Sequence, residues 1–193
     1  MLAQDPNQQD LSDLEDAARG RREAFTRVVE RHQDAVFRLA RALTPSEQEA
    51  EDVLQETFLS AYRHADAFRG EAAVRTWLLT IARRAAARQS RRRAGEPRDH
   101  APLSELGVAA GWGAESDPEQ QASDAERRRA LDKALAALAP TDRAVIVLRD
   151  LEGMTGPAAA EVLGLTLPAV KTRLHRARLR LMAELHHGGT HGA

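Results

Sequence analysis

The chain has no cysteine among its 193 residues. A disulfide framework, a thiolate metal site and a cysteine nucleophile are therefore excluded. Aromatic residues make up only 4%, so any core must be built from Leu, Ala and Val, which suits small helical bundles. Lysine occurs only at Lys133 and Lys171, so the other 26 of the 28 cationic residues are arginine. Arginine favours bidentate contacts to phosphate and guanine. No apolar run approaches the length of a membrane-spanning helix, so no direct membrane insertion is expected. Residues 1–16 carry Asp5, Asp10, Asp13, Glu15 and Asp16 and no cation. They lack both the basic and the apolar part of a secretory signal, and the expected location is the cytoplasm. No Gly-rich phosphate loop, metal-spaced His/Asp cluster or Ser-His-Asp arrangement is present, which argues against an enzyme and against any cofactor or metal.

Charge is segregated rather than scarce. The formal net charge is −1, yet positive and negative residues fall in separate blocks, and such blocks decide which partners a surface attracts. The blocks divide the chain into an acidic, disordered tail over 1–14, a helical domain over 15–94, a linker over 95–124, a second helical domain over 125–186 and a Gly/His-rich tail over 187–193. The expected fold class is all-α, two small domains joined by a flexible acidic linker.

The best-defined local pattern lies near the end of the chain. Thr155 suits an N-cap, with Pro157 in the first turn of the helix that follows. Gly164 stands where a left-handed residue ends that helix. Thr166 suits a second cap, with Pro168 in the next first turn. Val170, Leu174 and Ala177 fall at i, i+4 and i+7 and face inward. Lys171, Arg173, Arg176, Arg178 and Arg180 occupy the remaining surface, with no acidic residue between 168 and 180. The pattern predicts a helix-turn-helix whose second helix docks by its apolar side and offers a cationic side to a DNA major groove.

In the first domain, residues 11–43 carry an apolar stripe with a break near Gly20, and His32 lies on that stripe as a core histidine. Ser46 and Glu49 form a capping-box pattern for the next helix. That helix has a core stripe, Ala50, Val53, Leu54, Thr57, Phe58, Ala61 and Tyr62, and a second face holding Asp52, Gln55, Glu56 and Leu59. An acidic face beside an exposed leucine fits a basic helical partner. A loop over 63–71 contains Arg69. The third helix carries Val74, Trp77, Leu78, Ile81 and Ala85 on its core side. Between 72 and 93 it carries Arg75, Arg83, Arg84, Arg88, Arg91, Arg92 and Arg93 with no acidic residue, the electrostatic footprint of nucleic acid. The linker holds seven acidic residues against Arg98 alone. Beyond it, Ala130, Leu131, Ala134, Leu135 and Leu138 are expected inward, Pro140 ends that helix, and Val145, Ile146, Leu148 and Leu151 form the apolar side of a short one.

These residues carry a resemblance. Ala24-Phe25, Ala50-Glu51-Asp52-Val53-Leu54-Gln55-Glu56, Phe68-Arg69-Gly70-Glu71, Arg75-Thr76-Trp77-Leu78 and Ile81-Ala82-Arg83 in the first domain resemble the extracytoplasmic-function (ECF, group 4) sigma factors of the sigma-70 family. So do Leu148-Arg149-Asp150-Leu151-Glu152-Gly153, Ala160-Glu161-Val162-Leu163-Gly164 and Val170 through Arg178 in the second. The resemblance implies a non-enzymatic promoter-specificity factor that binds core RNA polymerase through its clamp helices and flap, is monomeric when free and is held by an anti-sigma factor. It assigns Asp52, Gln55, Glu56 and Leu59 to the polymerase. It assigns loop 63–71 to capture of a flipped base, and Arg69, Arg75, Arg83, Arg84, Arg88, Arg91 and Arg92 to the −10 element. Pro168, Ala169, Lys171, Thr172, Arg173, His175 and Arg176 fall to the −35 element. Two departures stand out. Arg84 replaces a frequent asparagine, and Gly156-Pro157-Ala158-Ala159 predicts a shorter or looser first helix of the motif. The alternative reading is a polymerase-independent helix-turn-helix regulator.

Overall fold

The computed structural model describes residues 6–94, 130, 131 and 133–189; side chains are described from Asn7 to Arg93, at the residues from 130 onward, and up to His186. The acidic linker lies outside these residues. Every regular element among them is helical.

The first unit has four helices. α1 spans Pro6–Ala18 and α2 spans Arg22–Leu43. Between them Gly20 takes φ 90°, a left-handed value that a side chain resists. α2 ends where Thr44 turns extended, its hydroxyl donating to the Ala40 carbonyl at 2.8 Å. α3 spans Glu47–Arg63. Ser46 caps it, accepting from the Glu49 amide at 3.2 Å. The return half of the expected capping box is absent: the Glu49 carboxylate meets Arg93 Nη1 at 2.7 Å instead. A short 3-10 turn, Ala65–Ala67, leads to α4, Val74–Ala94. Val28, Val36, Leu39, Val53, Val74, Leu78 and Leu79 fill the centre of this bundle.

In the second unit, the described residues from 130 to 136 are helical. Pro140 starts the next helix rather than merely ending the previous one, since a missing amide costs nothing in a first turn. α5 spans Pro140–Ile146 and runs into one wide turn, Val147–Leu151, whose Glu152 amide reaches back to the Val147 carbonyl at 2.9 Å. α6 spans Gly156–Leu163 and α7 spans Leu167–Gly189. Tyr62 of α3, expected on the core stripe, is 39% exposed, and three residues of this unit expected inward also lie outside. Ala130 is exposed, Leu131 is 41% exposed, and Leu151 is 61% exposed. The wide turn shifts Leu151 off the apolar stripe that Val145 and Leu148 continue.

The N-terminal reading needs correction. The segment expected to be a disordered tail is helical from Pro6. Asp10 and Asp13 are buried against α2. Arg31 Nε meets Asp10 at 2.7 Å, and Arg31 Nη2 meets Asp13 at 2.6 Å. Arg27 Nε donates to Asp13 at 3.0 Å. His32 Nε2 lies 2.7 Å from Asp10. What composition marks as a solvated acidic tail is a docking strip for a basic stretch of α2. Burial raises the Asp13 carboxyl, but the Arg27 and Arg31 hydrogen bonds outweigh it and hold the group below its ordinary value.

The two units pack on each other. α2 lies against α5 and the wide turn, and α4 lies against α6. One contiguous apolar cluster passes through both.

Candidate functional site

Each turn of the helix-turn-helix is fixed by a local device. Thr155 accepts from the Ala158 amide at 3.3 Å. Gly164 takes φ 64°, ψ 37°. Thr166 accepts from the Ala169 amide at 3.3 Å. Gly156 gives the unusual first helix its reason: a β-carbon there would sit 2.8 Å from Leu167 Cδ1, so the glycine lets α6 and α7 approach closely. The helix is short, at eight residues, and capped rather than loose.

Val170, Leu174 and Ala177 are buried, which turns the opposite face of α7 outward. Pro168, Lys171, Thr172, His175 and Arg176 are exposed on it, while Ala169 and Arg173 are half-buried. Arg173 differs from its neighbours, because its Nη1 meets Asp142 of α5 at 2.8 Å. Arg180 reaches the same carboxylate at 3.9 Å, and Arg178 grips Asp150 through Nε at 3.0 Å. These carboxylates, at least 28 residues from their partners, gave no signal in the sequence.

The arginines of α4 do not form one continuous stripe. Arg84, Arg91 and Arg92 are exposed, as is Arg69 in the preceding loop. Arg88 Nη2 meets Glu56 of α3 at 3.2 Å. Arg83 is half-buried against the turn of the helix-turn-helix: a β-carbon on Gly164 would lie 3.6 Å from its Nη2. Arg75 pairs with Glu152, which also accepts from Arg38 Nε at 2.5 Å. The Glu152 carboxylate was not anticipated as a functional group, and Arg38 was not anticipated as part of any site.

Asp52, Gln55, Glu56 and Leu59 share the outer face of α3, all exposed, with Leu59 at 51%. Gln89 of α4 donates to Asp52 at 3.3 Å. Asp52, Glu56, Arg88, Gln89 and Arg92 line an open pocket of about 220 Å³ between the two helices. The polymerase-assigned acids and two of the DNA-assigned arginines therefore share one cleft.

The loop over 63–71 is braced from the N-terminus. α1 packs on the Ala65–Ala67 turn. Asn7 Oδ1 accepts from the Val74 amide at 3.4 Å, at the start of α4. Gly70 takes φ 71° beside Leu11. Phe68 and Trp77 close the base of the loop with ring centroids 4.9 Å apart, so Trp77 is engaged in packing. Among the described residues no group of three or more His, Asp or Glu could hold a metal, and no helix is long and apolar enough to cross a membrane.

Residues 28–96 match the family Sigma-70 region 2, and residues 128–181 match Sigma-70, region 4. The ECF RNA polymerase sigma factor SigM of Mycobacterium tuberculosis is 35% identical over 84% of this chain and 77% of its own length. The RNA polymerase sigma factor CnrH of Cupriavidus metallidurans is 36% identical over 88% of this chain and 90% of its own. A solved structure of CnrH in complex with the cytosolic domain of CnrY superposes with a TM-score of 0.62 at 29% identity, covering 92% of this chain and 97% of that one. The sigma factor RpoE from Bartonella quintana, solved with the anti-sigma factor NepR, shares the fold at a TM-score of 0.61 and 24% identity over 83% of this chain and 96% of that one.

Proposed function

The chain belongs to the ECF branch of the sigma-70 family, and from that premise we propose how its surfaces divide the work of starting transcription. It is an RNA polymerase sigma factor, of a family of non-enzymatic initiation factors. It binds core polymerase, directs it to promoters and helps melt them. The observation that carries this is the presence of both region 2 and region 4 on one chain, in that order. The relatives favour this reading over a polymerase-independent regulator.

We assign residues 15–94, braced by α1, to the polymerase and the −10 element, and residues 125–186 to the −35 element. Asp52, Gln55, Glu56 and Leu59 form the polymerase contact: an exposed acidic face with one apolar residue offers both charge complementarity and an anchor. Pro168, Ala169, Lys171, Thr172, His175 and Arg176 face the −35 major groove. Arg173 enters the groove from an anchor on Asp142, so its direction is fixed before DNA arrives. Arg69, Arg84, Arg91 and Arg92 are presented to the −10 region directly, whereas Arg75, Arg83 and Arg88 become available when their present neighbours move. Extruding a base costs a few kcal/mol, and we assign capture of that base to loop 63–71, which Asn7 and Leu11 brace.

Two relatives were solved with partners: CnrH with the cytosolic domain of CnrY, and RpoE with the anti-sigma factor NepR. We assign this chain a partner of the anti-sigma kind. Its place of action is with polymerase and DNA in the cytoplasm.

The test is transcription by core polymerase, with and without this chain, from a pooled promoter library. New start sites sharing two upstream elements are expected. No new starts, together with tight duplex binding by the chain alone, would replace the sigma reading with that of an ordinary regulator.

A further inference from the structure

The polar part of the contact between the two units is built around one buried anion. The Glu152 side chain is 2% exposed, while the side chains of its partners Arg38 and Arg75 remain 46% and 37% exposed. The carboxylate comes from the turn between α5 and α6; both arginines belong to the first unit, one on α2 and one on α4. Arg38 Nε meets one carboxylate oxygen at 2.5 Å and Arg75 Nη2 meets the other. Arg75 Nη1 also donates to the Glu152 backbone carbonyl at 3.1 Å. Two guanidinium groups from separate helices thus converge on a single anion, one on each carboxylate oxygen, as they could on two oxygens of a phosphate, the other oxyanion that arginine favours. The hydrogen bond that Arg38 donates to Glu152 raises its guanidinium above its ordinary value, as expected of a cation matched to an anion.

Outside the apolar cluster the two units share, the polar groups of the contact are poorly matched. Among the described residues, Arg83 Nε and Arg143 Nε are buried with no hydrogen-bond partner. Burial, then the charge of Arg41 across the same contact, pulls Arg143 below its ordinary value. Unpaired buried donors and like charges weaken an interface. One carboxylate therefore offsets the poorly matched polar part of the contact, the part that engages Arg75 and Arg83.

We propose that Arg38 and Arg75 form one oxyanion site, occupied by the Glu152 carboxylate when the two units are closed and by a backbone phosphate of promoter DNA when they part. The site rests on the sigma-factor reading for its DNA ligand, but its closed state does not. Glu152 acts as an intramolecular stand-in for phosphate, so the same pair of arginines that holds the molecule shut grips DNA once it opens. Arg38 thereby joins the DNA-binding surface, and opening and DNA capture become one exchange of anions.

The test uses the full chain, without polymerase, so its outcome is independent of the start-site assay. The absence of native cysteine allows a dye pair at Glu30→Cys and Glu161→Cys, both on exposed positions of α2 and α6. Energy transfer between the dyes reports closure. Fluorescence anisotropy with a labelled promoter-length DNA reports binding, and circular dichroism confirms that helicity is kept. Glu152→Gln, which removes the charge at constant shape, should lower transfer and tighten DNA binding at low salt by at least fivefold. Arg38→Ala should also lower transfer, but with no gain in DNA binding, and adding it to Glu152→Gln should erase the gain and shallow the salt dependence. Unchanged transfer in folded Glu152→Gln would overturn the latch. A DNA gain that survives Arg38→Ala in the double variant would overturn the phosphate site.

Discussion

α4 and α7 are both arginine-rich helices without an acidic residue on their cationic stretch, yet they hold their charge in opposite ways. On α7, Lys171, Thr172, His175 and Arg176 are exposed, while the carboxylates Asp142 and Asp150 engage Arg173 among them and Arg178 and Arg180 beyond them. On α4, Arg75 is held by Glu152, Arg88 by Glu56 and Arg93 by Glu49, and Arg83 lies under the turn of the other unit. One helix is presented ready-made. The other leaves Arg84, Arg91 and Arg92 open but holds Arg75, Arg83, Arg88 and Arg93 against its own protein until something displaces their partners. Charge density in a sequence measures capacity; the placement of carboxylates decides availability.

The largest effect that can break this comparison is loss of a helix's anchor. Leu78 is fully buried beneath α4, and Leu78→Ala should cost about 2–5 kcal/mol of unfolding free energy by denaturant titration. A cost under about 1 kcal/mol would mean that α4 is not fixed by its core face. Next comes the open face of α7. Arg176→Ala should weaken promoter binding of the polymerase complex by about 1–3 kcal/mol if it reads a base edge, with discrimination lost at one position; a uniform loss on every sequence would make it a phosphate contact. Glu56→Lys should weaken association with core polymerase about tenfold, or ~1.4 kcal/mol, in a co-purification or titration assay, and equal binding would remove Glu56 from that surface. Glu56→Gln, which releases Arg88 from an exposed pair, should change stability by less than about 1 kcal/mol.

The smallest effect is one of pH. Burial holds the His32 imidazole below its ordinary value of 6.5, against the pull of Asp10. The unfolded chain therefore binds the proton more readily than the folded one. The contribution is complete above pH 6.5 and fades as pH falls below it. Stability measured between pH 7.5 and 5.5 should decline on the acid side, and part of that slope should vanish in His32→Gln.

Much of the fold was legible, because helix ends are local. Thr155, Gly164, Thr166 and Ser46 act on residues three or four positions away, within the reach of pattern reading. The apolar stripes of α2, α3 and α4 were legible for the same reason. What escaped depends on distance along the chain. The Asp10 and Asp13 pairs with α2 span 14 to 22 residues, so a run of acids read as a tail. The Glu152 contacts span 77 and 114 residues, so nothing nearby singled out that carboxylate or Arg38. Leu151 was misplaced by the wide turn at 147–151, which breaks the 3.6-residue period without any glycine or proline to mark it. Residue identities on the α7 face were readable, but the tether of Arg173 to Asp142 was not.

The most direct measurement of the division of labour is start-site mapping on the pooled promoter library with Arg176→Ala beside the unaltered chain. The account predicts that the preferred sequence of the upstream element changes while that of the downstream element stays the same. A change in the downstream element, or the same preferences at both, would contradict the assignment of the open helix to one promoter element and the occupied helix to the other.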